Sequence, residues 1–357
     1  MRSFTDISSR FETIPLDVVA LLAGIEASRG REQLYRTQAP QVLQRLAART
    51  RFDSITASSA IENIVLDDER ALQLLRGGEE GPYRDRSESE FAGYRDAVDE
   101  LLDRDAEPLG VPLIMHIHRT LMRHTEDPTA GRPKSNDNFI GSRNPDGSRT
   151  VIFETVPAGE RTAWHLSELV ARYEQAHSET QVPPLLLLAA MIVDFLAIHP
   201  FEDGNGRVAR LLTTSELLRH GYGVARYVSI EQRFFDSKNS YYSALRSSQS
   251  RWQESDHDLA PWISYLLRIL EDAYADFEQR VAAGTELVGA TKREQASNYI
   301  LTQAPRRFRL AQIADALPDI SQATIRDALE ELRAEHKLVA GRGRSAMWER
   351  TDDTSPS

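Results

Sequence analysis

Apolar residues recur at helical spacing along most of this chain. This pattern predicts the helices Leu16–Ala48, Leu66–Leu75, Glu88–Leu102, Pro112–His124, Arg161–His177, Val208–His220, Asn239–Gln249 and Leu259–Ala283. A continuous apolar run, Leu185–Ile198, contains an aspartate and is shorter than the roughly 20 residues that a membrane span needs. We therefore expect a buried core helix there, no membrane insertion, and a mainly α fold.

A second pattern predicts one hairpin. Asn144–Gly147 (NPDG) combines the residues that favour a turn, and the β-branched and aromatic run Thr150–Val156 follows it. No other strand is expected before about residue 290.

The pattern changes near residue 290. Helices are predicted over Arg293–Gln303, Leu310–Leu317 and Ser321–Glu335, followed by a Gly/Arg-rich hairpin. This order is typical of a winged helix-turn-helix at 292–350. The other expected regions are an N-terminal helical region (1–89), a core (90–285) and a disordered tail (351–357).

The composition of the chain excludes several kinds of site and catalysis. The chain has 357 residues, a net charge of -11 and no cysteine, so thiol catalysis, disulfides and cysteine-ligated zinc are excluded. An acidic chain is not a general nucleic-acid binder, although a local basic module remains compatible with DNA. The N-terminus lacks the basic and apolar run of a secretory signal, so a cytoplasmic location is expected.

The segment HPFEDGNGRVAR, His199–Arg210, carries the candidate chemistry. A Gly-rich loop at a helix N-terminus directs backbone N–H groups at an anion such as phosphate. Arg207 and Arg210 share a helix face and can reach one polyphosphate. Asp203 is a hard oxygen ligand suited to Mg²⁺, and His199 is the candidate general base. Each residue alone has a commoner structural explanation, but together they indicate phosphoryl or nucleotidyl transfer.

This segment resembles the Fic family signature HPFx(D/E)GNGRxxR. Every specified position is present: His199, Pro200, Phe201, Asp203, Gly204, Asn205, Gly206, Arg207 and Arg210. Upstream, His116–Met122 is similar to the family's segment before its target-docking flap, which would be about Asn144–Pro157. Downstream, Ser240–Leu245 is similar to the family's YYxxL helix, and places Tyr242 on the adenine side.

The resemblance implies a Fic fold, a helical core with a β-hairpin flap, and an enzyme that transfers AMP from ATP to Ser, Thr or Tyr hydroxyls of a protein, itself included. His199 would deprotonate the hydroxyl and Asp203 would hold Mg²⁺. Gly204, Asn205, Gly206, Arg207 and Arg210 would bind the phosphates. Family members that transfer a phosphate carry Lys where this chain has Gly206, which favours adenylylation here.

A second segment, Ser58–Asn63, matches the family's inhibitory motif (S/T)xxxE(G/N). Ser58 and Glu62 are four residues apart and share a face if helical. The resemblance implies that Glu62 pairs with Arg210 and misaligns ATP, and that Asn63 completes the motif. It also leaves open that Glu62 supports de-adenylylation.

Three alternatives remain at this point. The core could sense a nucleotide for a DNA-binding regulator, with Arg306, Arg307, Arg309, Arg342 and Arg344 contacting phosphates. The enzyme could transfer UMP or phosphocholine instead of AMP. The segment 292–350 could bind a protein or a second copy of the chain, which makes a homodimer a candidate assembly.

Overall fold

The fold is mainly α, as the spacing of apolar residues predicts. A computed structural model describes residues 1–76, 83–103, 107–143, 148–286, 291–340 and 347–351. The helices within these residues are α1 (Ile7–Arg10), α2 (Leu16–Gln38), α3 (Pro40–Ile61), α4 (Asp68–Arg76), α5 (Arg86–Asp103), α6 (Val111–Leu121), α7 (Glu160–Glu179), α8 (Pro184–Ile198), α9 (Asn205–Arg219), α10 (Ile230–Asp236), α11 (Lys238–Gln249), α12 (Ala260–Glu286), α13 (Lys292–Thr302), α14 (Leu310–Ala316) and α15 (Gln322–Ala334). The strands are β1 (Phe139–Arg143), β2 (Arg149–Glu154), β3 (Arg307–Arg309), β4 (Leu338–Ala340) and β5 (Met347–Arg350).

Helix α8 is the buried core helix that its apolar run predicts. All residues of Leu185–Ile198 are buried, and the helix packs against α7, α9 and α11. Its one charged residue, Asp194, accepts hydrogen bonds from the Ser3 hydroxyl (2.6 Å) and the Trp252 indole N–H (2.5 Å). Because α8 is held on several sides, His199 at its C-terminal end is fixed in position. No helix among the described residues combines the length and apolar character needed to cross a bilayer.

The hairpin begins earlier than expected. β1 and β2 pair antiparallel, with Phe139 opposite Glu154 and Arg143 opposite Arg149. The flap range of about Asn144–Pro157 overlaps this hairpin, whose first strand precedes the range because β1 (FIGSR) lacks a β-branched run that the sequence could show. The NPDG turn at Asn144–Gly147 lies outside the described residues.

The predicted helix Leu16–Ala48 is in fact two helices. α2 ends at Gln38 and α3 begins at Pro40, since a proline ring clashes with the carbonyl four residues earlier and supplies no N–H. α3 then continues to Ile61 and carries Ser58 near its end. The short elements α10 and β3 are also absent from the sequence prediction, because neither is long enough to show a period.

The chain divides into two compact units. The first comprises residues 1–34 and 50–277, and the second comprises 35–49 and 278–357. The expected boundary at residue 89 falls inside the first unit, and the expected boundary between 285 and 292 falls inside the second.

The second unit contains a small three-stranded sheet. Its strand order is β3-β5-β4, and the order along the chain is α13, β3, α14, α15, β4, β5. Its core includes Ile300, Phe308, Ile325, Leu329 and Trp348. The winged helix stays a prediction, and the tip of its wing, with Arg342 and Arg344, lies outside the described residues, as do residues 352–357 of the tail.

A glycine contact in the first unit yields a stability prediction. A Cβ on Gly93 of α5 would lie 2.0 Å from the Leu121 carbonyl oxygen of α6, so we expect Gly93→Ala to destabilise the protein by about 3 kcal/mol. Gly30 of α2 has no atom within 4 Å of a Cβ, and Gly30→Ala should stabilise by about 0.5–1 kcal/mol. Urea unfolding of both variants measures the difference, and equal effects would contradict the close α5–α6 packing.

Candidate active site

The candidate site starts at the end of α8, where His199 adopts a left-handed backbone conformation. Its φ is 53°, which is uncommon for a residue with a side chain, and its N–H donates to the Phe195 carbonyl at 2.9 Å. Strained residues of this kind concentrate at functional sites. The conformation ends α8 and turns the chain into the loop that leads to α9.

The hydrogen bonding of the His199 ring defines its tautomer. Nδ1 lies 3.2 Å from the Leu196 carbonyl oxygen, which can only accept, so Nδ1 carries the hydrogen. Burial lowers the pKa of His199 to about 4, so the ring is neutral at pH 7. Nε2 therefore holds a free lone pair, which is what a general base requires.

The loop between α8 and α9 is fixed by its own side chains. Gly204 has a φ of 79°, and the Asn205 amide accepts from the Phe201 N–H (2.9 Å) and donates to the Phe201 carbonyl (2.8 Å). The Asn205 side chain thus shapes the loop, and its phosphate-binding role stays a prediction. Asn205 and Gly206 are the first residues of α9, so of the GNG glycines Gly204 alone has a positive φ.

The N-terminus of α9 forms one wall of the site. Unpaired backbone N–H groups at the start of a 15-residue helix favour an anion there. Arg207 and Arg210 follow on the same helix, and both are 2% exposed. This wall therefore combines a helix N-terminus with two buried guanidinium groups.

His118 of α6 supports this loop. Its Nδ1 accepts from the Gly131 N–H at 2.9 Å, so Nε2 carries the hydrogen and donates to the Asp203 carbonyl at 3.1 Å. Its ring stacks on Phe201 with centroids 3.8 Å apart. Burial lowers the pKa of His118 to about 4, which keeps this tautomer neutral. The sequence places His118 in a recognisable segment but does not indicate this positioning role.

Two residues of α5 that sequence reasoning missed pair with the motif. Arg86 lies 2.8 Å from the Asp203 carboxylate, and Glu90 lies 2.8 Å from the Arg207 guanidinium. Arg86 and Glu90 are four apart and also pair with each other, a pattern that in sequence resembles an ordinary solvated helix face. Only the packing of α5 against α9 brings them to the site.

Asp203 fits a magnesium ion by its chemistry and position. Its side chain is 48% exposed, lines the site cavity and offers carboxylate oxygens. Mg²⁺ in proteins is commonly held by one or two carboxylates together with phosphate oxygens and water. The Arg86 cation now pairs with this carboxylate, so a metal would take the place of that ion pair.

Glu62 and Ser58 meet Arg210, as the inhibitory motif predicts. The Arg210 guanidinium donates to Glu62 Oε1 (2.9 Å) and to the Ser58 hydroxyl (2.8 Å). Burial alone would lower the pKa of Arg210, but the charge of Glu62, the neighbouring Tyr241 and Tyr94 and the hydrogen bond to Glu62 together outweigh burial, so the pKa lies above its usual value. A Cβ on Gly206 would approach Glu62 Oε1 to 2.7 Å, so the glycine leaves room for this carboxylate.

Asn63 explains the last position of that motif. Its φ is 62°, a conformation that glycine and asparagine adopt most readily. The chain turns out of α3 here, which aims Glu62 at α9 and leaves Asn63 near Lys238, with Nζ at 3.5 Å from its side-chain oxygen.

A cavity of about 730 Å³ connects these residues, within the range of small-molecule sites. His199, Asp203, Arg207, Arg210 and Glu62 all line it. Tyr242, which is 40% exposed, and the buried Tyr241 both line it from α11. The hairpin contributes Ile140 and Ile152. The predicted site residues His199, Asp203, Gly204, Asn205, Gly206, Arg207, Arg210, Tyr242 and Glu62 therefore surround one space.

Lys134 ties the hairpin base to α8. It is 1% exposed, and its ammonium donates to Asn138 Oδ1 (2.7 Å), Thr155 Oγ1 (2.8 Å) and the Ile198 carbonyl (3.1 Å). Burial lowers its pKa to about 8. Lys134 thereby fixes the hairpin beside His199, a role that no local sequence pattern indicates.

Comparison with curated proteins finds relatives named protein adenylyltransferase. The chain is 28% identical over 180 residues to a protein adenylyltransferase Fic of Nematostella vectensis, covering 50% of this chain and 36% of that protein. It is 23% identical over 243 residues to protein adenylyltransferase fic-1 of Caenorhabditis elegans, covering 67% of this chain and 43% of that protein. The chain thus aligns with less than half of each relative.

The fold has a counterpart among solved structures. A Fic family protein from Desulfovibrio desulfuricans G20 superposes with a TM-score of 0.60 at 23% identity, covering 96% of this chain and 98% of that one. Residues 108–217 match the model of the Fic/DOC family, and this range contains His118, His199 and the whole motif to Arg210. The chain therefore carries a Fic/DOC-family domain with the mainly α Fic fold.

Proposed function

We propose that this chain is a protein adenylyltransferase that uses ATP. The observation that carries the proposal is the convergence on one cavity of a base lone pair, on His199, with a helix N-terminus and the cations Arg207 and Arg210. The names of the two curated relatives support the same activity.

In the proposed reaction, a target hydroxyl oxygen attacks the α-phosphorus of ATP. His199 Nε2 takes the hydroxyl proton, the new oxygen–phosphorus bond forms, and the bond to the β-phosphate oxygen breaks to release pyrophosphate. The N–H groups at the start of α9 and the guanidinium of Arg207 stabilise the charge that develops on the phosphates. Asp203 would hold Mg²⁺, which would neutralise phosphate charge.

We also propose that the present arrangement is inhibited. The Glu62 carboxylate occupies the guanidinium of Arg210, which would otherwise receive the terminal phosphate. Its negative charge at the cavity wall opposes a polyphosphate, and a shift of about 1 Å in the α-phosphate can cost about 10²-fold in rate. Ser58 supports the contact by orienting Arg210. As part of the same proposal, Glu62 also positions a water molecule for the reverse reaction, de-adenylylation.

The proposed substrates are Ser, Thr or Tyr hydroxyls of a protein, the chain itself included. Lys134 donates a hydrogen bond to the Ile198 carbonyl and so holds the hairpin β1–β2 beside His199. This position supports docking of an extended target segment along the hairpin. A homodimer is one arrangement in which a second copy supplies that segment.

The deciding experiment compares labelled donors. The Glu62→Gly variant with Mg²⁺ should label protein from ATP carrying the label on the α-phosphate and not from ATP labelled on the γ-phosphate. If UTP or a phosphocholine donor labels the protein in preference to ATP, the transferred group is UMP or phosphocholine and not AMP. Label from the γ-phosphate would contradict adenylylation and indicate a kinase.

DNA binding by the second unit is the weaker candidate. Its element order supports a winged helix, but two of the arginines named for phosphate contact pair with one carboxylate: Arg307 lies 3.1 Å and Arg306 lies 3.7 Å from Glu349. A mobility shift with duplex DNA at low salt tests it, and no shift would leave protein recognition as the function of 292–350.

A further inference from the structure

A cluster of metal-ligand side chains lies at the far end of α9 from the phosphate loop. Glu216 and His220 are four residues apart at the end of this helix, and His177 stands near the end of α7. One ligand atom from each residue lies within 4.8 Å of the others. The cluster shares no residue with the site described above.

The ligand atoms of this cluster have no hydrogen-bond partners. His177 Nε2, His220 Nε2 and Glu216 Oε1 are buried and make no hydrogen bond, and the nearest carboxylate oxygen to His220 Nε2 is Glu216 Oε2 at 3.5 Å. An unpaired buried polar atom costs free energy, and three such atoms on residues grouped within 4.8 Å indicate a missing group that accepts lone pairs. Glu216 is fully buried, with 0% exposure, so solvent does not satisfy its carboxylate.

The other oxygen of Glu216 is held in place. Oε2 accepts from the Tyr173 hydroxyl at 2.7 Å and from Arg219 at 3.0 Å, and lies 3.5 Å from His220 Nε2, while Oε1 has no hydrogen-bond partner. Arg219 also pairs with Glu174, so its charge is offset by two carboxylates. Metal-binding carboxylates typically have such an outer shell, which orients the ligand oxygen.

The histidine rings are compatible with coordination. The two rings stack with centroids 4.2 Å apart at an angle of 19°, which blocks a hydrogen bond between them. Coordination would turn the rings so that their lone pairs converge, and would bring the ligand atoms to about 3.4 Å from one another for bonds of about 2.1 Å.

We propose that His177, Glu216 and His220 bind one divalent transition-metal ion of the Zn²⁺ type. Two imidazoles and one carboxylate form a ligand set that suits Zn²⁺ better than Mg²⁺ or Ca²⁺, which prefer oxygen. The His220 side chain is 17% exposed, so an ion can enter from the surface and keep a water as its fourth ligand. The ion joins the ends of α7 and α9.

The test uses the full-length, tag-free chain stripped of metal, titrated with Zn²⁺ in the presence of excess Mg²⁺. Mg²⁺ occupies a carboxylate–phosphate type of site but competes weakly at imidazoles. We expect one Zn²⁺ per chain by calorimetry, and Co²⁺ in its place should give the absorption bands of a four- or five-coordinate ion. His177→Gln should weaken Zn²⁺ binding by at least about 100-fold, with circular dichroism unchanged.

Matched variants locate the ion. His116→Gln removes a histidine that pairs with Glu100 outside the cluster, and should leave the Zn²⁺ affinity as it is. Asp203→Ala should also leave it unchanged, because Asp203 belongs to the other end of α9. Glu216→Gln tests the carboxylate, with His177→Gln as the safeguard if that variant does not fold. Absence of saturable Zn²⁺ binding, binding that survives His177→Gln, or binding that disappears in Asp203→Ala would each overturn the proposal.

Discussion

Replacement of Glu62 by glycine is expected to raise AMP transfer about 10²-fold. The substitution removes the carboxylate that lies 2.9 Å from the Arg210 guanidinium, and frees that cation for the terminal phosphate. It also clears the space next to Gly206 at the start of α9. The measurement is the initial rate of label incorporation from α-labelled ATP into the protein, for wild type and variant at equal concentration.

Two variants separate loss of the carboxylate from a looser helix end. Asn63→Gly also places a glycine after α3, at a residue whose φ of 62° glycine accepts, and leaves the Glu62–Arg210 contact in place. It should remain as slow as wild type. Ser58→Ala removes one hydrogen bond to Arg210 but keeps the ion pair, and should give a smaller rise than Glu62→Gly. Equal rates for Glu62→Gly and wild type, with ATP bound by both, would refute the inhibitory role.

Replacement of His199 by alanine in the Glu62→Gly background is expected to lower AMP transfer by about 10²- to 10⁴-fold. The variant loses the Nε2 lone pair that receives the hydroxyl proton, whereas the cations Arg207 and Arg210 remain. ATP affinity should therefore stay within a few fold of the parent. Single-turnover labelling gives the rate, and calorimetry with ATP gives the affinity.

A pH profile distinguishes a base from a structural residue. Burial lowers the pKa of His199 to about 4, and a base is active only when unprotonated. The kcat/KM of Glu62→Gly should thus be flat near neutrality and fall as the pH drops towards 4. His116→Ala, a matched substitution of a histidine outside the cavity, should keep the parent rate. Near-parent activity in the His199→Ala variant would assign the proton to another group.

The residues of the candidate site could be identified from the sequence because most of them lie within one short segment. His199 to Arg210 supplies a base, a hard ligand, a loop and two cations within one helix–loop–helix segment, so no long-range pairing is needed to recognise it. The presence of most helices could also be predicted, since the spacing of apolar residues is a local property of the sequence. The ends of the helices were harder to predict from the sequence. The predicted helix Leu16–Ala48, for example, is divided in two at Pro40.

Contacts between distant segments needed the tertiary structure. Arg86 and Glu90 look like an exposed i,i+4 pair until α5 packs against α9 and brings them to Asp203 and Arg207. The bounds of β1 were not predicted for the same reason, because its extended form depends on β2 as partner.

The sequence alone thus determined which chemical groups this protein carries and where most of its helices lie. It also determined which motif contains both the candidate base and the candidate phosphate-binding loop. The tertiary structure decided which groups meet. It placed Glu90 against Arg207 over 117 positions of sequence separation, and brought His177 of α7 to Glu216 of α9 and to His220 directly after that helix. The physical reason is that helical period and loop chemistry are set by near neighbours, whereas ion pairs, orphaned buried atoms and strand pairing depend on segments that only the packed core brings together.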